Sequence, residues 1–122
     1  MRTFALLFIC AALAFHVARS QTATIIPAIQ PAEASKHAGE EVYVEGLVAS
    51  VHASAKGAAF INLGEAYPHQ VFTGFIQNLN AIGDEAWLNG LKGKTIRIRG
   101  RINIYHTIPE IRITSKDQVV SK

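Results

Sequence analysis

The sequence is short of cysteine above all. One cysteine, Cys10, stands among 122 residues, beside one methionine and one tryptophan, and no internal repeat or low-complexity tract is present. Cys10 lies inside an apolar N-terminal run. Met1-Arg2-Thr3 is a short positive start, Phe4–Phe15 is apolar, and Ala18-Arg19-Ser20 puts small residues at the −3 and −1 positions of a cleavage site. Residues 1–20 therefore read as a secretory signal peptide, and residues 21–122 as a single domain with its core at about 31–114. Bulky Phe8 and Ile9 before Cys10 speak against a lipid-anchoring site. Cleavage after Ser20 would leave a chain without cysteine, which excludes disulfides, thiolate chemistry and cysteine-based zinc sites. Stability would then rest on packing alone. The apolar run is short for a membrane-crossing helix and no second one follows, so no membrane association is expected after cleavage.

Net charge is scarce too. The formal value is +3, but Arg2 and Arg19 belong to the signal segment, and without them ten Lys+Arg face nine Asp+Glu. No global attraction to polyanions follows, only local patches. Aspartate is limited to Asp84 and Asp117, one in a helical insert and one in the tail, so the clustered carboxylates of metal-dependent phosphodiester cleavage are missing. There is no glycine-rich phosphate loop and no nucleophile motif. His37, His52, His69 and His106 are scattered, without ligand spacing. The chain reads as a non-enzyme with no metal and no cofactor.

What is abundant is alternation. In Lys94–Tyr105 (KTIRIRGRINIY), Ile96, Ile98, Ile102 and Ile104 alternate with polar residues, which predicts a long strand with one dry face. Gly100 takes an isoleucine's place on that face, as at a barrel corner. Glu41–His52 predicts another long strand, bent near Gly46, where the alternation changes phase. Ala58–Leu63, Val71–Ile76 and Ile108–Thr114 predict three more strands. Pro31–His37 suits a short helix stopped by Gly39, and Gln77–Leu88 switches to helical spacing. Gln21–Gln30 reads as a lead-in and Ser115–Lys122 as a polar tail. The order strand, strand, strand, helix, strand, strand predicts an all-β fold, a five-stranded OB-fold Greek-key barrel with a helix between strands 3 and 4 and a short N-terminal helix.

Several segments carry a family resemblance: EASKHAGE (33–40), VYVEGLVASVH (42–52), AFINLG (59–64), YPHQVFTGFI (67–76), LKGKTIRIRGRI (91–102) and YHTIPEI (105–111). Together they resemble small secreted bacterial OB-fold proteins described as nucleic-acid-binding-like, and the tRNA-anticodon-binding type of OB domain. In the anticodon-binding type the second strand opens with an aromatic followed by apolar, polar and leucine, which Phe60-Ile61-Asn62-Leu63 matches; the next position, commonly charged there, is Gly64 here. The resemblance implies a periplasmic module that binds single-stranded nucleic acid without catalysis.

Such binding uses exposed aromatics and a few cations along a groove. Phe60 points outward if Ile61 and Leu63 point inward. Phe60, Asn62 and Phe75 are the expected platform, with Lys56, Tyr105, His106 and Arg112 around it. The bland alternative covers Phe60 with the lead-in segment or a partner. Arg97, Arg99 and Arg101 read either as phosphate contacts or as a solvated face paired with Glu45 or Glu110. The rival function is a periplasmic protein-interaction or small-ligand module using the Tyr67-Pro68-His69 loop.

Overall fold

The computed structural model describes residues 25–122. The signal segment expected over residues 1–20 lies outside the described residues. Seven strands form: β1 (Ala28–Ile29), β2 (Glu41–Ala53), β3 (Ala59–Leu63), β4 (Phe72–Ile76), β5 (Thr95–Tyr105), β6 (Ile108–Arg112) and β7 (Val119–Ser121). Their order is β1-β2-β3-β4-β6-β5-β7, and an additional β2–β5 pairing closes β2, β3, β4, β6 and β5 into a ring. Within the ring only β4–β6 is parallel. This is an OB-like barrel, with two strands more than the five expected.

The two extra strands come from segments that carry little alternation. Ala28–Ile29 of the lead-in pairs in parallel with Tyr43 and Val44, and Val119–Ser121 pairs with Ile96–Ile98. The tail is thus structured rather than merely polar. Ser115 caps a 3-10 turn, Lys116–Gln118, through a capping box, and the Gln118 amide donates to the Arg99 and Arg112 carbonyls. Two or three residues at a sheet edge are too few to show a period in sequence.

The two long strands serve both halves of the barrel. β2 pairs with β5 through Leu47 and with β3 from Val48, with a bulge between Val48 and Ser50. β5 pairs with β2 through Arg101 and with β6 from Ile102. Glycine marks both corners because close packing requires it. A Cβ on Gly46 would stand 2.5 Å from Pro31 Cγ, and one on Gly100 would collide with Ile111 Cγ2.

The barrel interior is aliphatic apart from Phe72. Val42, Val44, Val48, Ile61, Leu63, Phe72, Ile76, Ile96, Ile98, Ile102, Ile111 and Ile113 are all buried, each side chain contributing about 1.5–3 kcal/mol on leaving water. Ile104, expected on the dry face, is 47% exposed. It stands opposite Pro109 in the β5–β6 hairpin, next to the likewise exposed Tyr105. Leu47 is also exposed.

One helical segment matches its expected bounds and the other is broken in two. Pro31–His37 is a 3-10 helix with proline in its first turn. Between β4 and β5, one helix over Gln77–Leu88 is replaced by a 3-10 turn, Leu79–Ala81, and α1, Glu85–Gly90. Asp84 causes the break: its carboxylate accepts from the Trp87 amide at 2.8 Å and starts a new helix after Gly83. No helix among the described residues is long and apolar enough to cross a membrane.

Candidate functional site

The outer face of β2, β3, β4 and β6 carries two transverse rows of side chains, fixed by strand register. In the first row His52 stands opposite Phe60, Phe60 opposite Phe75, and Phe75 beside Arg112. The His52 and Phe60 rings stack with centroids 6.1 Å apart and 24° between planes. Phe60 and Phe75 lie 5.5 Å apart at 49°, and the Arg112 guanidinium sits 5.8 Å from the Phe75 centroid. Phe60 and Phe75 are half-buried, whereas Phe72, of opposite parity to Phe75, is fully buried in the barrel.

The second row is polar: Ser50, Asn62, Thr73 and Glu110 are successive cross-strand partners. The Asn62 amide donates to Ser50 Oγ at 3.0 Å, and the Thr73 hydroxyl donates to Asn62 Oδ1 at 3.3 Å. The Gln70 amide reaches Thr73 Oγ1 at 3.5 Å, and the Tyr67 backbone N–H donates to Ser50 Oγ at 3.2 Å. Partial burial pushes the Glu110 carboxyl above the ordinary carboxylate range, and nearby Arg112 pulls it back part of the way.

Loops raise walls around both rows. Tyr67 and Pro68, joined by a cis peptide, stand on one side. On the other, the β5–β6 turn places Tyr105 and His106 edge to face, 4.2 Å apart. His106 and Thr107 both have positive φ, 46° and 70°, the backbone of a tight two-residue hairpin turn. A β-branched residue there is strained, and only the surrounding hairpin holds it. The result is an open groove of about 1040 Å³.

Of the residues expected from sequence, Phe60, Asn62, Phe75, Tyr105, His106 and Arg112 all line this groove, and Lys56 does not. Lys56 is exposed at the tip of the β2–β3 turn. Asn62 is only 2% exposed, and both ends of its amide are engaged, so it forms the floor rather than a free contact. The described part of the lead-in does not cover Phe60: Ala28 and Ile29 pair with Tyr43 and Val44 on another part of β2. Of the Tyr67-Pro68-His69 loop, Tyr67 and Pro68 reach the groove and His69 does not.

Sequence reasoning missed His52, Ser50, Thr73 and Glu110 as groove residues. Parity carries part of the signal: Glu110 shares a strand face with Arg112, two residues on. For His52 and Ser50 the bulge in β2 hides the parity. The arginine row lies elsewhere. Arg97 Nε donates to Glu45 at 2.9 Å and Arg99 Nε to Glu41 at 3.1 Å, while Arg101 donates to the Gly39 carbonyl at 2.7 Å. Glu45 also takes Lys122 at 3.0 Å. The solvated-face reading holds for Glu45, whereas Glu110 belongs to the groove. Among the described residues no three His, Cys, Asp or Glu side chains gather as a metal site.

No protein-family model and no curated protein matches the chain. The fold is similar to part of several solved aminoacyl-tRNA synthetases. One is a putative aspartyl-tRNA synthetase from Leishmania major Friedlin, with a TM-score of 0.54 and 12% identity over 85% of this chain and 22% of that one. Another is the asparaginyl-tRNA synthetase of Entamoeba histolytica, with 0.55 and 17% over 80% and 23%. A third is the asparaginyl-tRNA synthetase of Pyrococcus horikoshii, with 0.53 and 12% over 76% and 22%. The chain thus spans less than a quarter of the length of these enzymes.

Proposed function

We propose that the chain is a non-catalytic binding module for single-stranded nucleic acid. The observation that carries this reading is the row His52–Phe60–Phe75–Arg112. Two half-buried rings in an open groove offer faces to bases, and a guanidinium at the end of the row offers a charge to phosphate. Each base stacked on an aromatic gains about 1–3 kcal/mol without regard to sequence. The likeness in fold to enzymes named for tRNA supports a nucleic-acid ligand. The matched part is under a quarter of those chains, so their enzymatic activity is not carried over to this one.

The test is a titration of fluorescently labelled DNA and RNA oligomers at low salt. Phe60→Ala should weaken binding by about fivefold to 150-fold, the equivalent of one lost stack. Among the described residues Arg112 is the one arginine or lysine lining the groove, so the salt slope should be shallow, about −0.7 to −1.4 for one or two phosphates neutralised. A flat titration of the unaltered protein removes the proposal.

Glu110 and the near-neutral net charge favour a second reading, a protein-interaction or small-ligand module in the bacterial periplasm. Capture of a periplasmic protein that survives nuclease treatment, together with a flat oligomer titration, would select it. Both readings include secretion, supported by the pattern of residues 1–20. N-terminal sequencing of the exported protein should then begin at Gln21.

A further inference from the structure

A second, smaller cleft of about 250 Å³ adjoins the groove, and Arg112 lines both. Gln77, Asn78, Ile82 and Thr114 form much of the rest of its wall. Its position follows from register. β4 and β6 run parallel with Phe75 beside Arg112, and Gln77 and Thr114 follow just beyond the ends of the two strands. With Arg112 they line one cleft, which extends the groove past the aromatic row with polar side chains. The side chains of Gln77 and Asn78 are exposed and make no hydrogen bond among the described residues. Thr114 is engaged with Gln118, which holds that edge of the cleft in place. On the other edge, the Leu79 amide donates to the Gly57 carbonyl at 2.8 Å and ties Asn78's neighbour to the turn that carries Lys56.

Resting on the reading of the groove as a single-strand site, we propose that this cleft is a second nucleotide subsite. The strand would cross the barrel along the β4–β6 seam. One base stacks on Phe75, Arg112 holds the phosphate that follows, and the next nucleotide enters the cleft. There the two side-chain amides, each with a donor and an acceptor, meet its base edge or sugar hydroxyls. The volume admits a single nucleotide unit and not a length of strand. The same geometry gives Lys56 a place: outside the main groove, on the turn bonded to the residue after Asn78, it stands near the backbone of a strand leaving the cleft.

The experiment is a length series of oligothymidylates and oligouridylates, two to eight nucleotides, titrated against the full chain and against a Gln77→Ala/Asn78→Ala double variant. Affinity of the unaltered protein should rise with length until groove and cleft are both filled. The double variant should match it for the shortest oligomers and fall behind by about twofold to tenfold per lost contact once the strand reaches the cleft. Both residues are exposed, so the variant should fold, and an unchanged urea midpoint checks this. As an independent readout, an oligomer with 4-thiouridine at one end should photo-crosslink to the peptide holding residues 77–82. If the unaltered protein binds and the double variant tracks it at every length, the subsite is refuted while the groove stands. A flat titration of the unaltered protein refutes both.

Discussion

Glu110→Gln is the most informative single change, because the groove contains a carboxylate where a polyanion is proposed to lie. Glu110 closes the polar row beside Thr73 and stands two residues from Arg112 on the same strand face. At about 7 Å from a bound phosphate, between the dielectric of water and half that value, its charge would cost about 0.6–1.2 kcal/mol of binding. Glutamine keeps the shape and removes the charge, so E110Q should bind a short oligothymidylate about threefold to eightfold more tightly at pH 7.5. The advantage should shrink on acidification. Burial raises the Glu110 carboxyl above the ordinary carboxylate range, so the unaltered protein begins to neutralise this group as pH falls through that raised window. The ratio of the two affinities then moves towards one as pH falls through that raised window. The assay is fluorescence anisotropy at constant ionic strength across the pH range. An E110Q protein that binds no more tightly at pH 7.5, or a ratio that does not move with pH, would refute the placement of phosphate beside this carboxylate. The same group has a signature in folding. Because its folded value is raised, the unfolded chain releases this proton first as pH rises, so Glu110 destabilises the fold above that window and E110Q should remove that slope.

Three further outcomes are expected. Arg97→Ala and Arg99→Ala should leave oligomer affinity within about twofold, since their guanidiniums are committed to Glu45 and Glu41 outside the groove, and each should move the urea midpoint little, because solvent screens exposed ion pairs. Gly100→Ala should cost about 1–3 kcal/mol, because the added methyl meets fully buried Ile111 at the β5 corner; a chemical-denaturation midpoint equal to that of the parent would contradict the packing. Glu45 is held below the ordinary carboxylate range, first by the hydrogen bond from Arg97 and then by that from Lys122. Its contribution is present above the unfolded glutamate value and fades as pH falls through the lower folded one, so E45Q should flatten the acid limb of a stability–pH curve.

The strands were legible because burial imposes a period. Ile96, Ile98 and Ile102 announce β5, and Gly46 and Gly100 announce its corner with β2, since a bend in a strand disturbs alternation wherever it occurs. Phe60 was legible as an outward ring for the same reason, being the odd member between Ala59 and Ile61. By contrast, β1 and β7 are too short for any period, and their two or three residues become strands only because a long neighbour offers free backbone groups. The helix over Gln77–Leu88 failed as a single element because the carboxylate of Asp84 competes for backbone N–H groups, a local contact that spacing does not register.

For the candidate site, the sequence by itself determined which residue types were available: aromatic, amide and basic side chains at outward positions, without clustered carboxylates. Tertiary structure decided which of them meet. His52, Phe60, Phe75 and Arg112 come from four strands, and only cross-strand register sets them in one row. The same register put Glu110 into the groove, gave Glu41 and Glu45 to the arginines, and left Lys56 outside. Period two tells a residue which face it occupies, but not which residue of another strand stands beside it. That second fact depends on bulges, corners and the parallel β4–β6 pairing, all of which exist only once the barrel has closed.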